Sequence, residues 1–207
     1  MVRLRARCLF VGDPAVGKSA LSQMFHSDGT VFQKNYSMTT GVELLIKGVN
    51  IPESNDSVEL YIIDSAGKDT LVEACEKMWG RPSLLCLVFD LTSQRSFDSC
   101  SRWMERARAH CQGLRVPGVL VGNKSDLAAR REVTTSVAQE WAQSQGLEYH
   151  ETSAFPYVVP GPCSSVSAWL LRGDGRIQAE NRPSVGAHAA AMKRGRRGVT
   201  VDASRRA

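Results

Sequence analysis

The chain has 207 residues, 23% charged and 43% hydrophobic, which suits a globular domain able to bury a core without disulfide or metal staples. No apolar run approaches the roughly 18 residues that a membrane span needs. The net charge of +5 hints at an anionic partner, but the excess is local: residues 171–207 hold nine Lys/Arg against three Asp/Glu, and the body before them is within one charge of neutral.

Residues 4–11 read as a first strand that ends in a Gly-rich turn, followed by a helix over 18–26 with Leu21, Met24 and Phe25 on one face. Residues 42–49 and 58–63 read as two strands, and the short polar link between them, with Pro52, predicts an antiparallel hairpin. Residues 84–90 and 118–122 are continuous apolar runs, the pattern of central strands covered on both faces. Helices are predicted near 70–79, 94–112 and 134–145. The second has Phe97, Trp103, Met104 and Ala107 as its buried face, and the third has Val137, Trp141 and Ala142. Gly146 is placed to stop the third helix, and residues 148–151 form a sixth short strand. This alternation predicts an α/β fold: a six-stranded, mostly parallel sheet flanked by helices and joined by right-handed crossovers. Beyond Ala154 the pattern fails. Pro156, Pro160 and Pro162 preclude a continuous helix, residues 163–171 suffice for about two turns, and the Gly-, Ala- and Arg-rich remainder is predicted to be disordered.

Six scattered cysteines, with no C-x-x-C pair, suit a reducing compartment, and Cys8 and Cys86 read as small buried hydrophobes. The basic N-terminal residues lack a following apolar stretch, which argues against a signal peptide. Val2 argues against myristoylation, and with Cys163 the last cysteine no prenyl anchor is expected.

Gly12-Asp13-Pro14-Ala15-Val16-Gly17-Lys18-Ser19 matches G-x-x-x-x-G-K-[ST] between a strand and a helix. The glycines let backbone N–H groups wrap a phosphate, and the helix N-terminus adds a favourable dipole. Lys18 would reach the β- and γ-phosphates and the Ser19 hydroxyl would bind Mg²⁺. Asn123-Lys124-Ser125-Asp126 follows a predicted strand, at the carboxyl edge where α/β folds place ligands. The Asp126 carboxylate can accept hydrogen bonds from guanine's ring N–H and exocyclic amine, a pair adenine does not offer, and the Lys124 stem can cover the purine face. Two weaker elements gain meaning by position. Asp64-Ser65-Ala66-Gly67 gives a carboxylate to hold Mg²⁺ through water and a Gly67 N–H to sense a γ-phosphate. Glu151-Thr152-Ser153-Ala154 offers backbone N–H groups to the guanine oxygen.

In this order the elements resemble the Ras superfamily of small GTPases, the Rab branch in particular, over about residues 4–154. The resemblance implies a P-loop GTP/GDP-binding fold. It makes Thr39 the first-switch threonine that completes the Mg²⁺ shell, and it packs Phe32 edge-on against the guanine. Residues 12–19, 32–41, 64–68 and 117–128 look like the Rab-like GTPases of intraflagellar transport complex B. That likeness implies a cytoplasmic and ciliary protein, reaching the basal body, paired with a small β-sandwich subunit and other subunits of that complex. Cargo adaptors of the cilium are further candidate partners, and function without a lipid anchor is implied. The divisions that follow are a GTPase domain over 1–154, a divergent segment over 155–171 in place of the last helix, and a basic tail over 172–207.

Three departures from the family pattern stand out. Lys68 occupies the place where Gln orients the attacking water. Lys only donates hydrogen bonds, so slow intrinsic hydrolysis is expected from the catalytic set of Lys68, Thr39 and Gly67. Pro14, next to the γ-phosphate position, supplies no N–H. The third departure is the end of the resemblance after Ala154, where loss of a covering helix is expected to cost several kcal/mol, comparable to a domain's total stability. Three functional readings follow: a weakly hydrolysing switch, an interaction subunit in which bound nucleotide mainly stabilises, and a tail that binds nucleic acid or anionic lipid. The third is disfavoured by the absence of interleaved aromatics.

Overall fold

The computed structural model describes residues 3–30, 35–50, 55–111 and 116–154. In chain order these form β1 (Arg3–Val11), α1 (Lys18–His26), β2 (Val42–Asn50), β3 (Ser57–Ser65), α2 (Asp69–Trp79), β4 (Leu84–Asp90), α3 (Gln94–Asp98), α4 (Cys100–Ala109), β5 (Gly118–Asn123), a 3₁₀ turn (Ala128–Arg130), α5 (Thr135–Gln145) and β6 (Glu148–Glu151). The six strands make one sheet in the order β2-β3-β1-β4-β5-β6. Only β2 runs antiparallel to its neighbour, pairing Val42 with Ser65 through Asn50 with Ser57. The other four pairings are parallel. The chain leaves β1 toward β2 and β3, then crosses to β4 on the other side of β1. That reversal opens a crevice at the carboxyl ends of the central strands, where open α/β sheets bind ligands.

Period-2 alternation divides β1 between two cores. Ala6, Cys8 and Phe10 join Leu21 and Phe25 of α1 on one face. Leu9 and Val11 face Val72 and Trp79 of α2, Trp103 of α4 and Ala138 of α5 on the other. Every residue of β4 and β5 is buried, as their unbroken apolar runs predict. Cys8, Cys75, Cys86, Cys100 and Cys111 are free and buried, and burial pushes the Cys8 and Cys86 thiols up. Among the described residues no three His, Cys, Asp or Glu side chains gather into a metal cluster, and no helix is long and apolar enough to cross a membrane.

Two expectations need correction. The helix expected over 94–112 is two helices broken at Ser99, the second ending at Ala109. Serine hydroxyls compete for the backbone carbonyls here: Ser96 Oγ donates to Ser93 O at 2.8 Å and Ser99 Oγ to Arg95 O at 3.0 Å. Val137 is not on the buried face of α5. It is 49% exposed, while Ala138 and Ala142 are buried, so small residues set the helix phase and let it approach the sheet closely. Trp141 is partly buried beside that core, edge-on to Phe97 at 5.9 Å. Gly146 ends α5 at φ 71°, in the left-handed conformation that glycine adopts without penalty. The expectations for Phe32, for 155–171 and for 172–207 lie outside the described residues.

Candidate nucleotide site

The loop between β1 and α1 wraps back on itself through left-handed backbone at Ala15 (φ 62°) and Gly17 (φ 98°), turning successive N–H groups inward to make an anion-binding nest. Gly17 also lies against the second loop: a Cβ there would sit 2.2 Å from Nδ2 of Asn123. That Nδ2 donates to Val16 O at 2.8 Å, which joins the phosphate-loop motif to the N-K-S-D motif.

Lys18, the first residue of α1, is only 6% exposed. Its Nζ donates to the carbonyls of Gly12 and Asp13, both at 2.8 Å. Burial lowers its pKa to about 8, while the carboxylates of Asp64 and Asp13 oppose the shift. Beside it, Ser19 Oγ and Thr39 Oγ1 lie 2.7 Å apart. Asp64 is buried completely, and neither carboxylate oxygen has a hydrogen-bond partner. Burial raises its pKa to about 6, against the pull of the Ser19 hydroxyl and the Lys18 ammonium. Two converging hydroxyls and a buried carboxylate with unpartnered oxygens form a donor set suited to a hard divalent cation, so these residues fit Mg²⁺. Gly67 closes the floor. A Cβ there would meet Gly12 O at 2.5 Å and Lys18 Nζ at 2.6 Å, so only glycine permits this approach of the chain after β3. A cavity of about 280 Å³ lies over this end, and Pro14, Ala15, Ser19, Thr39, Gly67 and Lys68 all line it. Lys68 precedes α2 in extended backbone, which brings its exposed side chain to the cavity edge.

At the other end, a cavity of about 190 Å³ is lined by Gly17, Ala20, Asn123, Lys124, Asp126, Ser153 and Ala154. Asp126 accepts a hydrogen bond from Ser153 Oγ at 2.5 Å. Lys124, in left-handed backbone at φ 64°, places its Nζ 2.6 Å from Asp90. Burial alone would raise the Asp90 carboxyl, but Lys124 and two hydrogen bonds from Thr92 hold it below the usual range.

The fold therefore brings together the described residues singled out in the sequence. The Asp13 carboxylate turns to α4, accepting from Trp103 Nε1 at 2.8 Å and Arg102 at 3.3 Å, so only its backbone serves the loop. Arg102 also pairs with Asp69 at 2.9 Å, tying the start of α2 to the phosphate loop. Sequence reasoning missed Arg102, Asp69 and Asp90. Asp90, the one carboxylate ending an otherwise apolar strand, carried a signal. Arg102 carried none, since its partners lie far from it in sequence.

The model of the Ras family matches residues 7–157. Among curated relatives, the chain is 57% identical over 153 residues to the intraflagellar transport protein 27 homolog of Mus musculus, covering 74% of this chain and 82% of that protein. It is 41% identical over 156 residues to intraflagellar transport protein 27 of Chlamydomonas reinhardtii, covering 74% and 76%. It is 36% identical over 148 residues to Ras-related protein Rab-2B of Dictyostelium discoideum, covering 70% of each. Together with the nested phosphate loop, the paired hydroxyls and the base-side carboxylate on one sheet edge, these matches make the chain a Rab-like small GTPase belonging to the Ras family.

Proposed function

We propose that this chain is a guanine-nucleotide switch of intraflagellar transport whose intrinsic GTP hydrolysis is slow. The observation that carries the reading is the joining of two half-sites across Gly17 and Asn123: a cationic phosphate nest with an unsatisfied carboxylate, and a base cavity with a carboxylate held in place. In this reading the backbone of residues 13–17, with Lys18, neutralises the phosphates. Ser19, Thr39 and Asp64 would hold Mg²⁺, which would supply positive charge against the phosphates. Asp126 selects guanine, Ser153 and Ala154 present N–H groups to its oxygen, Lys124 covers its face, and Asn123 ties the two loops. Because Thr39 and Gly67 meet the γ-phosphate end, loss of that phosphate would release both segments, which is how such switches signal.

Lys68 favours a second reading, in which bound nucleotide mainly stabilises an interaction subunit. A lysine ammonium has no acceptor with which to orient water. Membership of a ciliary transport complex comes from the names of the relatives, and a small β-sandwich subunit of complex B is the proposed partner. Cytoplasm, cilium and basal body are the proposed locations.

The experiment is to purify the full chain and identify its bound nucleotide. Binding of GDP, GTP and ADP with and without Mg²⁺ follows, then single-turnover GTP hydrolysis. Guanine-selective, Mg²⁺-dependent binding with slow turnover supports the proposal, and equal affinity for GDP and ADP sinks it. Equal affinity of the partner subunit for the GDP and GTP forms favours the second reading, since a ligand indifferent to two states shifts neither.

A further inference from the structure

Glu151, the last residue of β6, sits two positions before Ser153 and carries a cluster that the nucleotide reading does not use. Its carboxylate accepts four hydrogen bonds from three residues. Arg131 donates twice, at 3.0 and 2.5 Å, and Thr135 Oγ1 and the Tyr149 hydroxyl donate once each at 2.8 Å. Arg131 also donates to Val133 O at 3.2 Å. It follows the 3₁₀ turn by which the chain leaves the N-K-S-D motif, so one guanidinium ties the exit of that motif to the entry of the Ser153 loop. Backbone bonds complete the junction, from Ser125 N–H to Thr152 O at 3.1 Å and from Thr152 N–H to Gly122 O at 2.9 Å. A continuous chain of bonds thus runs from Arg131 through Glu151 and the Thr152–Ser153 backbone to the Asp126 carboxylate. Burial alone would raise the Glu151 carboxyl, yet the bonds from Arg131, Thr135 and Tyr149 hold it below the usual range, so this carboxylate is ionised at neutral pH.

We propose that Arg131 and Glu151 are positioning residues for base selection: through Ser153 they orient Asp126, and so decide how strongly the site prefers guanine to a purine lacking the 2-amino group. The inference rests on the guanine-nucleotide reading. Guanine offers two parallel donors, the ring N–H and the 2-amino group, while hypoxanthine offers only the ring N–H. A two-point bond to a carboxylate is sensitive to its angle, so a carboxylate free to swing loses the second donor before the first. Glu151 does not line the base-side cavity and acts only through the loop it holds.

The test compares GDP and inosine diphosphate (IDP) on the full chain with Mg²⁺, by competition against a fluorescent GDP, in wild type, Glu151→Gln, Arg131→Lys and Tyr149→Phe. The expected result is a preference for GDP that falls roughly 3- to 10-fold in Glu151→Gln, the loss of part of one charge-assisted bond. A smaller fall is expected in Arg131→Lys, which cannot donate as a fork, and about twofold in Tyr149→Phe. A purely architectural role would weaken GDP and IDP together and leave their ratio unchanged, which overturns the inference. If Glu151→Gln does not fold, Tyr149→Phe and Thr135→Val each remove one bond and carry the same ratio test. Wild type that binds IDP as well as GDP likewise overturns the inference, whereas wild type that fails to bind GDP overturns the nucleotide reading itself.

Discussion

The phosphate end and the base end of the site solve opposite problems. At the phosphate end the protein leaves charge without a side-chain hydrogen-bond partner: both Asp64 oxygens are unpartnered, and the buried Lys18 ammonium donates only to backbone carbonyls. At the base end the charged side chains have internal partners, Asp126 with Ser153, Lys124 with Asp90, and Glu151 with Arg131. An uncompensated buried charge is costly, so the first end is completed only by ligand. A carboxylate already held by the protein is preorganised, so the second end needs no ordering when the base arrives. The two ends should therefore respond differently to substitution with and without nucleotide.

The largest effect is expected at Lys18. Lys18→Ala should weaken GTP binding about 100-fold or more, as its charge-assisted bonds to the β- and γ-phosphates disappear, and calorimetric titration reads this directly. Asp64→Asn separates the ends most sharply. Burial raises the Asp64 pKa to about 6 despite the opposing pull of the Ser19 hydroxyl and the Lys18 ammonium, so its ionised form is costly at pH 7 and the neutral amide should stabilise the nucleotide-free protein by about 2 kcal/mol. The same variant should lose most of the extra thermal stability that Mg²⁺ and GDP give to wild type. Destabilisation of the nucleotide-free variant would break the contrast.

Lys68→Gln should raise single-turnover hydrolysis about tenfold, because Gln both donates and accepts and can hold the attacking water. An unchanged rate would assign the slowness elsewhere, with Pro14 the next residue to test. The smallest effect belongs to the base end and needs no ligand. Glu151→Gln should cost about 1 kcal/mol at pH 7. A carboxyl with a depressed folded pKa contributes stability above its unfolded value, near 4.5, and loses it as pH falls through the folded value. The gap between wild type and Glu151→Gln should therefore close below about pH 4.5 in thermal unfolding.

The family and the fold were legible in local sequence. Spaced glycines, a Lys-Ser pair and an Asn-Lys-x-Asp run each encode a backbone shape or a donor set within a few residues, and apolar runs of strand length encode the buried sheet. What stayed hidden depends on partners far apart in the chain. Asp13 reads as part of a phosphate loop, yet its carboxylate belongs to Trp103, 90 residues away. On α5 the buried position is Ala138 and not the neighbouring Val137, because hydrophobicity alone favours valine over the alanine that close packing selects.

The sequence by itself determined the chemistry proposed for this protein: recognition of phosphate, divalent cation and guanine, each written in contiguous residues that shape their own backbone. Only the tertiary structure decided how those pieces act together. The sheet order set the two loops side by side, burial left Asp64 without a partner, and the Arg131–Glu151 pair came to bear on the loop that holds Asp126. The physical reason is that solvent exclusion and side-chain pairing depend on neighbours in space, which short motifs do not specify. The charge of +5 shows the same division. It describes residues 171–207, while the cation proposed to meet the phosphates is Lys18, in a body close to neutral.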